Sequence, residues 1–484
     1  MTTPPRPTEH TAAEAQRLLA EGALTALELT DFYLDRIDRL NPGLNAVLAL
    51  DADGARSAAA ASDARRRGGI PLGPLDGVPI LIKDNIEAVG LPGTAGSRAL
   101  LNSPPAVDAP VVAQLRRNGL AVLGSTNLSE WANFRSTAST SGWSAVGGQT
   151  RNPFDPDRNT SGSSSGSAAA IAAGLAPLAV GTETDGSIVS PAGVCGVVGF
   201  KPTLGQVPGA GIVPISSRQD TAGPLARTVA DAARLFAVLS GSAVLSSSAV
   251  LSGTAESPST AERPGLAGRQ LALWRPDGMT EDVTAVLETV AELLSRAGCT
   301  LTETRAAMSS PFEDAEFQAL LAEFSVELPA YLHGRPGPHP RGWHELLAFN
   351  RADDLELSRF SDEIFQLCSE LAGGTASGEY QQFRRTADQA CAQALTDVLG
   401  GCEFALAPTN SPAWPISYGS QEHGLLTSSL CAVTGAPSIS LPAGRAGGLP
   451  LGVSVLGRRG SDEQLLVFAA DLQAALPRLS YPLD

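Results

Sequence analysis

The 484-residue chain carries 50 acidic and 34 basic residues for a net charge of −16, and is 43% hydrophobic against 17% charged. That balance excludes a disordered chain and argues against a nucleic-acid partner, because phosphate backbones are held by clustered Lys and Arg and no basic block stands out beyond Arg65-Arg-Arg67. No apolar run reaches the ~18 residues of a membrane span, and the six cysteines show neither metal nor disulfide spacing, which leaves buried free thiols as the expectation.

The amino terminus, Met1-Thr-Thr-Pro-Pro-Arg-Pro, lacks the basic-then-apolar pattern of an export signal, so cytoplasmic residence is expected. Apolar spacing predicts amphipathic helices over residues 11–20 and 25–37. Thr25 and Glu28 are spaced as a capping box, and Asn41-Pro-Gly43 is expected to end the second helix. Residues 46–50 read as a strand, and the alanine-rich stretch 52–68 as a helix whose basic finish suits its C-terminal dipole. The apolar run 77–83 reads as a buried strand with Lys83 at its edge. A helix over 111–118 and a strand over 121–124 continue the alternation, which predicts one large α/β unit on a mixed sheet.

Residues 136–166 are mostly Ser, Thr, Gly, Asn and Pro and read as loop. The segment 161–167 has the composition of a flexible linker, but it runs straight into a helix over 167–173, a context suited to presenting hydroxyls and helix N-terminal amides. An Ala-Val-Leu-Ser unit recurs at Ala237, Ala243 and Ala249, ahead of a low-complexity stretch, which marks an insertion over about 241–264 with no assigned chemistry. Helices over 281–296, 310–327, 355–370 and 379–399 make an expected outer, substrate-facing half at about 270–400, and residues 401–484 return to the core.

Three widely spaced residues carry the chemical signal. Lys83 closes Gly77-Val-Pro-Ile-Leu-Ile-Lys83, where burial disfavours the ammonium form. Ser163 lies in Ser161-Gly-Ser-Ser-Ser-Gly-Ser167. Ser187 lies in Gly181-Thr-Glu-Thr-Asp-Gly-Ser-Ile188, among small residues that let its hydroxyl and the nearby N–H groups approach a substrate. A serine hydroxyl attacks an amide only with a basic partner, and these segments supply one base and two hydroxyls.

Together with Gly124-Ser-Thr-Asn-Leu-Ser-Glu-Trp-Ala132, Ala168-Ala-Ala-Ile-Ala-Ala173 and Gly196-Val-Val-Gly-Phe-Lys-Pro-Thr203, these stretches resemble the amidase signature family over about residues 70–231. The resemblance implies a single domain over 1–484, with a mixed central β-sheet covered by helices on both faces. It also implies a Ser–cis-Ser–Lys triad: Ser187 as nucleophile, Ser163 as bridge after a cis bond from Gly162, and Lys83 as base. The backbone N–H groups of Thr184, Asp185, Gly186 and Ser187 would then hold the oxyanion. The wording of Asn127-Leu-Ser-Glu-Trp-Ala-Asn-Phe-Arg135, Ser141-Gly-Trp-Ser144 and Thr182-Glu-Thr-Asp-Gly-Ser187 is similar to the bacterial peptide amidases, which remove the C-terminal amide of peptides. A generalist aliphatic or aryl amidase and the A-type subunit of a glutamyl-tRNA amidotransferase are the alternatives. Asp185 and Ser165 stand where the commoner family pattern has glycine.

Trp131, Phe134 and Trp143 are candidates for the wall of a peptide pocket, with core packing the other reading of each. The segment Gly162-Ser-Ser-Ser-Gly166 also fits a nucleophile elbow at Ser164, but the proline-bearing, charged stretch before it is no buried strand. Cys195 has apolar neighbours and reads as a structural thiol. The histidines at 10, 333, 339, 344 and 423 lack metal-ligand spacing, His423 being the one that could lie near a site. No metal, nucleotide or other cofactor is expected. The expected substrate is a peptide amide or other small carboxamide, and the expected state is a monomer.

Overall fold

The computed structural model describes residues 7–241, 265–306, 310–371, 373–418 and 425–483. The expected insertion falls almost wholly outside these residues, as do the repeat copies at Ala243 and Ala249 and also His423. In chain order the strands are β1 (Val47–Leu50), β2 (Pro79–Lys83), β3 (Ala121–Thr126), β4 (Trp143–Ser144), β5 (Gly148–Gln149), β6 (Leu178–Glu183) and β7 (Val198–Lys201). They continue with β8 (Thr221–Ala226), β9 (Gln270–Trp274), β10 (Thr300–Thr304), β11 (Phe404–Pro408), β12 (Ser438–Ala446) and β13 (Leu449–Leu456).

Among the described residues, an 11-stranded mixed sheet runs in the order β1-β3-β2-β6-β8-β7-β12-β13-β11-β9-β10, while β4 and β5 pair with each other. Helices flank this sheet to make one large α/β domain. β2 is buried at every residue and lies parallel between β3 and β6, the environment that a continuous apolar run suits. β12 inserts between β7 and β13, so strands from the far end of the chain complete the sheet. No helix among the described residues is long and apolar enough to cross a membrane.

The capping box forms as its spacing dictates: Thr25 N–H donates to Glu28 at 2.8 Å, and Glu28 N–H to Thr25 Oγ at 3.1 Å. The helix it starts, Ala26–Leu44, runs through Pro42 instead of ending there. In the last turn a proline forfeits one backbone bond, and the end falls at Asn45, whose N–H returns to the Asn41 carbonyl at 2.8 Å. Helix Ser165–Ala172 is buried at every residue. At Gly166 an added Cβ would stand 2.3 Å from the Ala46 carbonyl oxygen and 2.5 Å from that of Asn127, so glycine is what lets the helix lie against the strand ends.

In the outer half, helices Glu281–Arg296 and Gly378–Leu399 form close to their expected bounds, and Ser310–Gly334 runs longer. The helix expected over 355–370 shrinks to Glu363–Glu370, and an unforeseen one forms at Trp343–Ala352. The reason is tertiary. Glu356 is buried, where it accepts from Ser97 Oγ at 2.9 Å and Arg98 N–H at 2.6 Å, and it faces Arg135 at 3.4 Å. Its neighbours are thereby withdrawn from a helical register. Rings of Phe324, Trp343 and Phe365, with Trp131 from the inner half, pack at centroid distances of 5.2–6.0 Å and join the two halves.

Candidate active site

The site is built at the carboxyl ends of β2 and β6, where parallel strands leave a crevice. Ile82 pairs with Val180 in parallel, which sets Lys83 level with Gly181 and one residue short of Thr182, within reach of its long side chain. Lys83 is fully buried, with Nζ 2.7 Å from Ser163 Oγ, 2.8 Å from Thr182 Oγ1 and 3.2 Å from the Thr182 carbonyl oxygen. Burial lowers its pKa to about 7, against the opposing pull of the Asp220 and Glu183 carboxylates. Near neutral pH a large fraction of the amine is therefore uncharged, with a lone pair beside a hydroxyl.

Ser163 follows a cis peptide bond from Gly162. Its carbonyl accepts from Ser129 N–H at 3.1 Å, and the next N–H, that of Ser164, donates to the Ser187 carbonyl at 3.1 Å. The Ser164 hydroxyl donates to the Thr182 carbonyl at 3.0 Å and accepts from Thr182 N–H at 3.2 Å, so it is tied to the backbone of β6. The serine loop is thus stitched between β6 and Ser187.

Ser187 follows Gly186, whose φ of +78° turns the chain sharply. Just beyond it, Glu183 Oε2 accepts from Ile188 N–H at 2.7 Å and Val189 N–H at 3.0 Å, fixing the start of helix Val189–Cys195. Thr184 Oγ1 donates to Asp220 at 2.6 Å, and Asp220 also accepts from the N–H groups of Ile215 and Ser216. Burial pushes Asp220 up to about 7. The Asp185 carboxylate, also raised by burial, accepts from the hydroxyls of Ser428 and Ser429. With their neighbours so tethered, the N–H groups of Asp185, Gly186 and Ser187 have no acceptor among the described residues. A ring of preset, unengaged donors is what a developing oxyanion needs.

A cavity of about 150 Å³ reaches Ser187. Thr184, Asp185, Gly186, Ser161, Gly162 and Ser190 form its polar side, and Ala132, Phe134, Ile215, Leu320 and Leu426 its apolar side. Of the three aromatic candidates, Phe134 is on the wall. Trp131 instead packs edge-on to Phe365 at 5.7 Å, and Trp143 against Phe360 at 5.1 Å with the Arg135 guanidinium 5.8 Å from its ring. Both indoles are buried in packing away from the cavity lining. Sequence reasoning missed Thr182, Glu183 and Asp220, although the first two lie inside a quoted motif, and it had no signal for Leu320 or Leu426. Among the described residues no group of three or more His, Cys, Asp or Glu side chains is placed to hold a metal ion.

Against known proteins, the chain matches the family model described as Amidase over residues 28–466. It is 36% identical to a probable amidase of Arabidopsis thaliana over 96% of this chain and 90% of that one. It is 34% identical to the A-type subunit of the glutamyl-tRNA(Gln) amidotransferase of Symbiobacterium thermophilum, over 95% of each. The crystal structure of the peptide amidase from Stenotrophomonas maltophilia superposes with a TM-score of 0.88 at 39% identity, covering 98% of both chains. A peptide amidase complex with the competitive inhibitor chymostatin gives 0.89 at 39% identity, over 97% of this chain and 98% of that one.

Proposed function

The chain belongs to the amidase signature family, hydrolases of amide C–N bonds, and from that premise we propose that it releases ammonia from C-terminal peptide amides through an acyl-enzyme on Ser187. The observation that carries this reading is the buried 2.7 Å contact from Lys83 to Ser163, whose loop is bonded in turn to Ser187 at the cavity. In the proposed reaction, Ser187 Oγ adds to the carboxamide carbon while its proton passes through Ser163 to neutral Lys83. The N–H groups of residues 184–187 stabilise the oxyanion. Collapse breaks the C–N bond as the nitrogen takes the proton back along the same relay, and ammonia leaves. Water then adds to the acyl-enzyme by the same relay, and the acid departs with Ser187 restored.

Two observations support a peptide amide as substrate: 39% identity to peptide amidase across nearly the whole chain, and a small cavity that suits an NH₂ leaving group better than a continuing chain. Incubation of a peptide amide followed by mass spectrometry tests this. The expected product is one unit heavier, from amide to acid, with internal bonds intact. Internal fragments, or an untouched peptide beside rapid acetamide hydrolysis, would overturn the peptide-amide reading. A second reading, the A-type component of an amidotransferase, is favoured by the full-length likeness to those proteins. Ammonia release by the chain alone, without partner subunits, separates the two.

A further inference from the structure

A neutral lysine has two N–H donors and one lone pair. Lys83 Nζ must share them among three polar neighbours: Ser163 Oγ at 2.7 Å, Thr182 Oγ1 at 2.8 Å and the Thr182 carbonyl oxygen at 3.2 Å. The carbonyl can only accept, so it takes one N–H. The two hydroxyls are left to divide the other N–H and the lone pair. Lys83 serves as a base only when the lone pair faces Ser163, which requires the second N–H to go to Thr182 Oγ1. Distance does not choose between the hydroxyls.

The choice is made one step further out. Among the described residues Thr182 Oγ1 has one other side-chain partner, the buried amide of Asn85, whose Nδ2 stands 3.0 Å away. The two ends of an amide have the same shape, and half a turn exchanges them. With Nδ2 toward it, Thr182 accepts from Asn85, and the acceptor left for its own proton is the lysine lone pair. Lys83 then donates to Ser163 and the base is blocked. With Oδ1 toward it, Thr182 donates to Asn85 and accepts from Lys83, and the lone pair is open to the Ser163 proton. The same arrangement suits the ammonium form that follows proton transfer, whose three N–H groups go to Ser163 Oγ, Thr182 Oγ1 and the Thr182 carbonyl.

We propose that Asn85 is a positioning residue for the base: its amide oxygen accepts the Thr182 hydroxyl proton, which makes Thr182 an acceptor for Lys83 and turns the lysine lone pair toward Ser163. This rests on the acyl-enzyme reading above and adds to it what sets the direction of the proton relay. Asn85 touches neither substrate nor the reacting atoms, and acts through Thr182.

The test measures ammonia release from N-acetylphenylalanine amide above the acid limb of each variant, where Lys83 is neutral. Asn85→Leu has a similar size and neither donor nor acceptor; Asn85→Asp keeps an oxygen in the same place. Expected for Asn85→Leu is a loss of about 10–100-fold in kcat with KM changed less than about threefold, the range for one buried hydrogen bond needed in the transition state. Asn85→Asp should stay within about tenfold of wild-type kcat, because the acceptor remains. Since Asn85 acts through Thr182, adding Asn85→Leu to Thr182→Val should cost less than about threefold further. Wild-type kcat in Asn85→Leu, a loss in Asn85→Asp beyond that tenfold, or a full second loss on top of Thr182→Val would each overturn the inference while the hydrolase reading stands. If Asn85→Leu does not fold, Asn85→Asp decides alone. A wild-type protein that leaves the amide untouched overturns the reading beneath it and the inference together.

Discussion

The inner and outer halves of the cavity wall are made of different materials. The inner wall is small residues, among them Ser161, Gly162, Gly186 and Ser187, backed by a lattice of buried polar groups in which Lys83, Ser163, Thr182 and Glu183 are held by hydrogen bonds. The outer wall is apolar side chains, Leu320 from helix Ser310–Gly334 and Phe134 leaning on Phe317 and Phe324. Preset polar groups are sensitive to one misplaced atom. Apolar packing tolerates replacement by shapes of similar volume. The inner wall accordingly carries the proposed chemistry and the outer wall the fit.

If that division holds, inner-wall changes should act on turnover. Ser187→Ala and Lys83→Ala are each expected to lose on the order of 10⁴-fold in kcat with the fold retained, by analogy with other serine hydrolases stripped of one group. Ser163→Ala should lose less, because a water can bridge the relay. More than a few per cent of wild-type turnover in Ser187→Ala or Lys83→Ala would break the comparison at its root. Outer-wall changes should act on binding instead: Leu320→Ala is expected to raise KM about tenfold for amides with large apolar side chains, from the ~1–3 kcal/mol at stake in such a pocket, and to leave kcat within a few-fold. A fall in kcat with KM unchanged would show that the walls are not separable.

The pH profile sharpens the same contrast. Because Lys83 acts as a base in its neutral form, and burial sets its pKa at about 7, kcat/KM should fall on the acid side of that value. The Asp220 carboxylate pulls the lysine pKa upward. Removing that charge in Asp220→Asn should therefore move the acid limb to lower pH, and only slightly, because burial pushes Asp220 itself up to about 7 and its charge fades over the same range. A limb displaced upward would assign it to another group. The smallest effect is expected far from both walls. Thr25→Ala removes the capping-box hydroxyl and should cost about 1 kcal/mol in denaturant unfolding with kcat unaffected, and a comparable loss of activity would show that the amino-terminal helices reach the site.

The inner wall was legible in the sequence because its physical requirements are local. Gly166 and Gly186 sit where contact or turning forbids a side chain, and the apolar run before Lys83 names a buried strand end. The outer wall was not. Its helices announce themselves by apolar spacing, but nothing in residues 310–334 says that Leu320 faces a serine some 130 positions earlier. The aromatic candidates show the same limit. Phe134 and Trp131 are three residues apart, and the left-handed turn between them sends one to the cavity and the other into packing. The stretch around Glu356 failed for a related reason, since its partners Ser97, Arg98 and Arg135 lie more than 200 residues away in sequence.

The tether from Asp185 to Ser428 and Ser429 crosses about half the chain, and β7 finds its neighbour β12 only after a similar interval. On a ribosome, the segment bearing Ser187 is therefore made long before the residues that brace it. Long-range pairing of this kind is slow to form. The proposed nucleophile thus reaches its braced state only near the end of synthesis, so that assembly itself sets the moment at which the hydrolase can begin to act.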